Sequence, residues 1–131
     1  MNHRLPVIAA GLLGATGTAA GALGAHALRP FLVQAGTLQI WQTGVHYHLA
    51  HAIALLGLGA WMRAGKSEPS RLVAWTAWCW IVGVALFSGS LYLFAAGAPP
   101  WIWPMTPLGG IAFIAGWLFL ASAAWPRSER P

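Results

Sequence analysis

The longest uncharged stretch of this chain extends from Leu72 to Pro126 and contains no Asp, Glu, Lys or Arg. A helix that crosses a bilayer needs roughly 20 apolar residues, so this stretch is long enough for two crossings. Its middle, GAPPWIWPMTP at 97–107, holds four prolines, and proline interrupts a helix because it lacks a backbone donor. The pattern predicts two spanning helices, about 72–96 and 106–125, joined by a proline-rich outer loop at 97–105.

Two further apolar runs lie nearer the N-terminus. The first, residues 5–28, predicts one spanning helix over about 6–26. It ends in Ala-His-Ala, which resembles a signal-peptide cleavage site, but the run exceeds the usual core of about 7–15 residues. The second run, 30–62, is longer than one crossing requires, and its first third contains proline, glycine and glutamine. We therefore predict a short interfacial segment and then a long spanning helix, at 28–36 and about 37–62.

Composition supports a membrane protein. Hydrophobic residues make up 58% of the 131 residues and charged residues only 7%, whereas a soluble domain averages about 25% charged residues. The expected fold is an all-α integral membrane four-helix bundle, in which residues 1–131 form a single four-span domain whose main partner is the lipid bilayer.

The basic residues predict the orientation of the four helices. Six of the seven Lys and Arg residues fall at the N-terminus, in the 63–71 loop and at the C-terminus, and the other side has only Arg29. Because basic loops stay on the cytoplasmic side, we expect both termini in the cytoplasm and the protein in the inner membrane. No basic stripe or aromatic RNA motif accompanies the net charge of +5, so no nucleic-acid partner is expected.

Small residues at helical spacing indicate how the helices pack. Glycines recur in the first predicted helix and near the start of the fourth, where they permit close approach of helix backbones. We expect the first helix to be central, with the fourth as its partner. The alternative is that one glycine face mediates association with a second copy or another membrane protein. The glycines are Gly14, Gly17, Gly21, Gly24, Gly109, Gly110 and Gly116.

Polar side chains from all four predicted helices fall in the outer half of the membrane. They are His26, Tyr47, His51, Ser88, Ser90, Tyr92 and Thr106. Two interpretations are open. Either these groups hydrogen-bond to one another and hold the helices together, or they line a site for a small molecule, an ion or a proton.

Three histidines lie within six residues, at His46, His48 and His51. Helical spacing places His48 and His51 on one face, whereas His46 points about 200° away from His48. The only acids, Glu68 and Glu129, fall on the other side of the membrane. We therefore predict no metal site and no cofactor. We also predict no enzymatic activity, since a histidine base would need an acid partner or an activated nucleophile.

Four stretches resemble the signatures of a known family. They are GALGAHALRP, WQTGVHYHLAHAIALL, FSGSLYLFAAG and TPLGGIAFIAGW, at 21–30, 41–56, 87–97 and 106–117. They resemble the YgdD-like family of small bacterial membrane proteins, known as domain of unknown function 423, whose eukaryotic relative is transmembrane protein 256. The resemblance covers nearly the whole chain and implies a four-helix integral membrane protein. It brings no activity, substrate or cofactor.

The family pattern matches this chain at a defined set of positions. These are Gly21, Gly24, His26, Thr43, Tyr47, His51, Ser88, Gly89, Ser90, Tyr92, Thr106, Pro107, Gly109 and Gly110. His46 and His48 lie outside the pattern, which leaves His26 and His51 as the expected pair. The expected function is a non-enzymatic accessory or structural membrane protein. The alternative is a binding or transport module built on the polar layer.

Overall fold

The computed structural model describes residues 4–65 and 70–125, and every regular element within those ranges is helical. The elements in chain order are α1 Arg4–Ala25, α2 Arg29–Gln34, α3 Leu38–Ala64, α4 Arg71–Gly83, a π turn Val84–Ser88, α5 Gly89–Ala95, a 3-10 turn Pro100–Ile102 and α6 Met105–Ala124. Five charged residues that enter the predicted topology lie outside the described residues: Lys66, Glu68, Arg127, Glu129 and Arg130.

The predicted helices agree with the observed ones to within two residues at each end. The predicted interfacial segment contains α2, a helix of six residues. Two details differ. The helix predicted over 72–96 is interrupted by the π turn. The last helix begins at Met105, so Thr106 lies inside its first turn.

Three helices are long and apolar enough to cross a membrane: Arg4–Ala25, Arg71–Ala95 and Pro100–Ala124. The sequence predicted four spans. The helix that differs is α3, which is the longest at 27 residues but carries three histidines and two glutamines.

The central helix is α3 and not α1. One side of α3 packs against α1, and another side packs against α4, the π turn and α5. The last helix, α6, packs against α4 and the π turn rather than against α1. The prediction of a central first helix partnered by the fourth was wrong, because the glycines of α1 receive large side chains of α3 instead of meeting another glycine face.

The glycines of α1 show this directly. A Cβ atom added to Gly17 would lie 2.8 Å from Leu49 Cδ2, and one added to Gly24 would overlap the Trp41 indole. Gly21 makes an ordinary contact, and Gly14 has no atom within 4 Å of an added Cβ. Only part of the predicted glycine stripe is therefore used for packing among the described residues.

The glycines of α6 serve its contact with α4 and the π turn. An added Cβ at Gly109 would overlap the backbone of Phe87, and at Gly116 it would lie 2.6 Å from Trp80 Nε1. Gly110 is looser, with Phe87 Cδ2 at 3.8 Å from such an atom. The backbones of α6 and the π turn thus come together at Gly109.

Two apolar clusters divide the interior. One cluster is centred on Leu55, Trp80 and Phe113, and the other consists of Leu32, Trp41 and Ala95. Along α3, the buried polar residues fall between Trp41 and Leu55. Along α4 to α5, the buried serines fall between Val84 and Ala95. A polar layer is therefore enclosed between two apolar ones.

Candidate functional site: a buried polar layer

His48 joins three helices at the centre of the layer. Its Nδ1 lies 3.2 Å from the Tyr92 hydroxyl on α5, and its Nε2 lies 3.3 Å from Thr16 Oγ1 on α1. The Thr16 hydroxyl also lies 2.9 Å from the Leu12 carbonyl, which only accepts. The consistent arrangement has Thr16 donating to Leu12, His48 Nε2–H donating to Thr16, and Tyr92 donating to His48 Nδ1.

The sequence placed His48 outside the expected site, and Thr16 was missed altogether. The spacing held a signal for His48. It lies four residues after Gly44 and four before Ala52, and all three are buried on one face of α3. Thr16 gave no comparable signal, because it is exposed on α1 and only the packing of α1 against α3 brings it to the imidazole.

His51 joins α3 to α6. Its Nδ1 lies 2.9 Å from the Tyr47 carbonyl, and its Nε2 lies 3.3 Å from Trp117 Nε1. An indole nitrogen can only donate and a carbonyl can only accept. The hydrogen bonds therefore fix a neutral imidazole with its hydrogen on Nδ1, where it donates to Tyr47, while Nε2 accepts from Trp117.

Aromatic rings surround His51. Its ring stacks on Phe113 with 3.6 Å between centroids and 11° between planes. Tyr47 stacks at 6.3 Å on the same helix, and Trp80 presents an edge at 6.0 Å. Both nitrogens of His51 are used and its ring is covered, so this imidazole has no free lone pair for a metal or a substrate proton in the observed arrangement.

Ser90 and Thr106 form a third polar contact, between α5 and α6. Their hydroxyl oxygens lie 2.7 Å apart, and Ser90 Oγ lies 2.9 Å from the Phe87 carbonyl. Since Ser90 donates its one hydrogen to that carbonyl, Thr106 donates to Ser90. The Thr106 hydroxyl is therefore directed at the neighbouring helix α5.

Ser88 is the exception in the layer. Its side chain has no accessible surface, and its Oγ has no hydrogen-bond partner among the described residues. It is the last residue of the π turn and lies one helical turn before Tyr92. The hydroxyl is thus enclosed without the compensation that His48, His51 and Ser90 receive.

The structure does not bring His26 to His51. His26 is exposed just after the end of α1, at a level set by the contact of Gly24 with Trp41. His51 is ten residues further along α3 than Trp41, which is about 15 Å at 1.5 Å per residue. Within residues 4–65 and 70–125, no three His, Cys, Asp or Glu side chains group as a metal site would require.

A cavity of about 290 Å³ lies beside the contact between Ser90 and Thr106. Ser90 and Thr106 supply its hydroxyl groups, and the rest of its wall is apolar: Ile40, Leu91, Phe94, Ile102 and Trp103. His48, His51 and Tyr92 are not part of its wall. The polar residues predicted as one site therefore divide into separate interhelical contacts, one of which borders a cavity.

Comparisons with known proteins identify relatives over most of the chain. The model of the family described as "Protein of unknown function (DUF423)" matches residues 20–110. The UPF0382 membrane protein YwdK of Bacillus subtilis is 38% identical over 104 residues, which cover 79% of this chain and 82% of YwdK. The UPF0382 inner membrane protein YgdD of Escherichia coli K12 is 35% identical over 130 residues, covering 95% of this chain and 92% of YgdD. No solved structure matches.

Proposed function

This chain belongs to the DUF423 family, and on that premise we propose that it is a small multi-pass inner membrane protein with a structural or accessory, non-enzymatic role. Relatives in Bacillus subtilis and Escherichia coli are named as membrane proteins. Three of the long helices have the length and apolarity of membrane spans, which agrees with those names. In this proposal the polar layer holds the helices together.

The observation that carries this proposal is that every ring nitrogen of the two buried histidines has a hydrogen-bond partner. His48 is bonded on one nitrogen to Tyr92 and on the other to Thr16. His51 is bonded to the Tyr47 carbonyl and the Trp117 indole. A general base needs a lone pair directed at its substrate. Here three of the four ring nitrogens are directed at neighbouring helices, and the fourth, His51 Nδ1, is directed at a carbonyl of α3 itself.

The topology we propose has four crossings, with α3 as the fourth span and both termini in the cytoplasm. The packing of α3 against α1 on one side and α4 to α5 on the other supports this, because neighbouring helices cover His48 and His51. The test is a fusion after Pro131 of a reporter that is active only in the cytoplasm. We expect this fusion to be active. A periplasmic signal from that fusion would contradict the orientation.

The structural role is tested with His51→Phe, which keeps a flat ring against Phe113 and removes both nitrogens. We expect this variant to insert and purify, and to unfold at lower denaturant than the wild type because the Trp117 N–H loses its acceptor. Mass spectrometry of the extracted protein compares the small molecules retained by the two proteins. A compound retained by the wild type and lost from folded His51→Phe protein would overturn the structural interpretation.

A second candidate function is the binding of a small apolar molecule in the cavity that Ser90 and Thr106 border. Its volume of about 290 Å³ is close to the lower end of about 300–1,000 Å³ for ligand pockets. The Thr106 hydroxyl has an acceptor lone pair left after donating to Ser90. Thr106→Val would remove that acceptor at nearly constant volume, so loss of a retained compound from this variant alone would favour the binding function.

A further inference from the structure

One face of α3 is not covered by the rest of the described chain. Its residues follow one another at alternating spacings of four and three: Gln39, Thr43, His46, Ala50, Ile53, Gly57, Ala60 and Ala64. All of them are exposed except Thr43, which is half-buried. We refer to these eight residues as the open face of α3. The residues that pack inside the protein, among them Trp41, His48 and Leu55, lie on the opposite side of the helix.

The spacing of the open face is that of a helix–helix seam. Alternating steps of four and three place residues along one line of a helix that packs at a shallow angle against another helix. Five of the eight residues are Gly, Ala or Thr, and small residues let membrane helices approach closely. Gly57 has no atom within 4 Å of an added Cβ, so the described protein leaves this part of the face open.

The polar residues of the open face need a partner that lipid does not supply. His46 is exposed two turns into α3, and Gln42 is exposed beside it. In the bilayer core a polar group without a hydrogen-bond partner costs several kcal/mol. The helix that carries these groups is also the one long helix that does not meet the apolarity expected of a membrane span. Both observations indicate that protein covers this face.

We propose that the open face of α3 is the contact surface of a symmetric dimer of this chain. The proposal rests on the crossing of the membrane by α3 in the proposed function. Residues 30–62 contain no Asp, Glu, Lys or Arg, so two copies of the face meet without like-charge repulsion. A neutral imidazole has one donor and one acceptor nitrogen, and a glutamine amide has both kinds of atom. The polar part of the face is therefore complementary to itself.

A two-fold axis along the membrane normal places equal residues of the two copies at the same depth. His46 then meets His46 of the second copy, and each supplies the donor or acceptor that the other needs. Ile53, with 70% of its surface exposed, lies between Ala50 and Gly57 on the seam. A large side chain with small residues one turn away on each side fits the knobs-into-holes packing of paired helices.

Cross-linking tests the position of the interface. Cys79 is the only cysteine, so Cys79→Ser gives a background without thiols. In that background Ile53→Cys is compared with Ile114→Cys, a control on α6 with 62% of its surface exposed. In vesicles of phosphatidylglycerol and phosphatidylethanolamine treated with copper phenanthroline, we expect a disulfide-linked dimer from Ile53→Cys only. Equal cross-linking of both variants, or none from Ile53→Cys, would overturn the proposal.

A matched pair of glycine substitutions tests whether close approach drives association. Gly57→Leu adds bulk to the open face, and Gly11→Leu adds the same bulk to α1. Both glycines are exposed and have no atom within 4 Å of an added Cβ, so the first atom of a new side chain fits at either position. Energy transfer between labelled copies in the same vesicles should fall at least fivefold for Gly57→Leu and stay at the wild-type level for Gly11→Leu. Unchanged transfer in Gly57→Leu would refute the interface.

The two proposals fail in different ways. A periplasmic signal from the reporter after Pro131 would overturn the topology, whatever the cross-linking shows. Correct topology with monomeric wild-type protein at every protein-to-lipid ratio would overturn the dimer alone. Cross-linking of Ile53→Cys to a different membrane protein in native membranes, without a self-adduct, would also overturn the dimer and would identify another partner for the open face.

Discussion

Two buried serines of the polar layer should respond in opposite ways to the same substitution. Ser88 and Ser90 are 0% and 2% exposed and lie two residues apart. Ser90 donates to the Phe87 carbonyl and accepts from Thr106, whereas Ser88 Oγ has no partner among the described residues. Replacing each serine with alanine removes one oxygen atom and changes the helix little.

The magnitudes follow from the hydrogen bonds. A buried polar group without a partner costs about 1–3 kcal/mol, so Ser88→Ala should raise the free energy of unfolding by about 1 kcal/mol. Interhelical hydrogen bonds in membranes average about 0.6 kcal/mol. Ser90→Ala loses two bonds and leaves the Thr106 hydroxyl without its acceptor, so it should lower the free energy of unfolding by about 1–2 kcal/mol. The two variants should therefore differ by about 2–3 kcal/mol.

The measurement is reversible unfolding of the purified protein in mixed micelles of mild detergent and dodecyl sulfate, followed by tryptophan fluorescence. Wild type, Ser88→Ala and Ser90→Ala are compared at equal protein concentration, so that association affects all three alike. The reasoning would be refuted if Ser88→Ala lowered the free energy of unfolding as much as Ser90→Ala does. That result would mean that the Ser88 hydroxyl makes a bond in the folded protein.

Two further predictions concern packing and the histidine contact with α6. Gly109→Ala should destabilise the protein by about 1–3 kcal/mol, the usual cost of overpacking, because its new Cβ would meet the backbone of the π turn; Gly14→Ala, in open space, should not destabilise it, and unfolding midpoints of the two variants would show the contrast. Trp117→Phe should lower the free energy of unfolding by about 1 kcal/mol, because the His51 Nε2 loses its donor. Trp78→Phe, with 49% of its side chain exposed against 48% for Trp117, is the control, and equal midpoints for these two would contradict the bond.

Local patterns in the sequence were sufficient to predict the helices. Proline removes a helical donor wherever it occurs. The length of an apolar run indicates whether a helix can cross a membrane, whichever helices are its neighbours. The helix ends therefore agreed with prediction to within two residues. The π turn at Val84–Ser88 was not predicted, since an added residue in a helical turn leaves no distinct pattern in an apolar sequence.

The polar site was predicted less well, because hydrogen bonds depend on which helices are neighbours. His26 and His51 were expected together, yet they lie at different levels along α3. His48 was set aside, although it connects Thr16 to Tyr92. Depth along a helix can be counted from sequence, whereas the direction of a side chain toward a particular neighbour cannot.

The sequence by itself determined that this chain is helical, apolar and related to a family of membrane proteins, because hydrophobic length and helix-breaking residues act locally. Only the tertiary structure decided that α3 lies between the other helices. It also decided that both nitrogens of His48 and of His51 have hydrogen-bond partners. The physical reason is that apolar helices have nearly equivalent faces in sequence. Their arrangement follows from where glycines such as Gly17 and Gly24 admit a large side chain, and that fit exists only between helices.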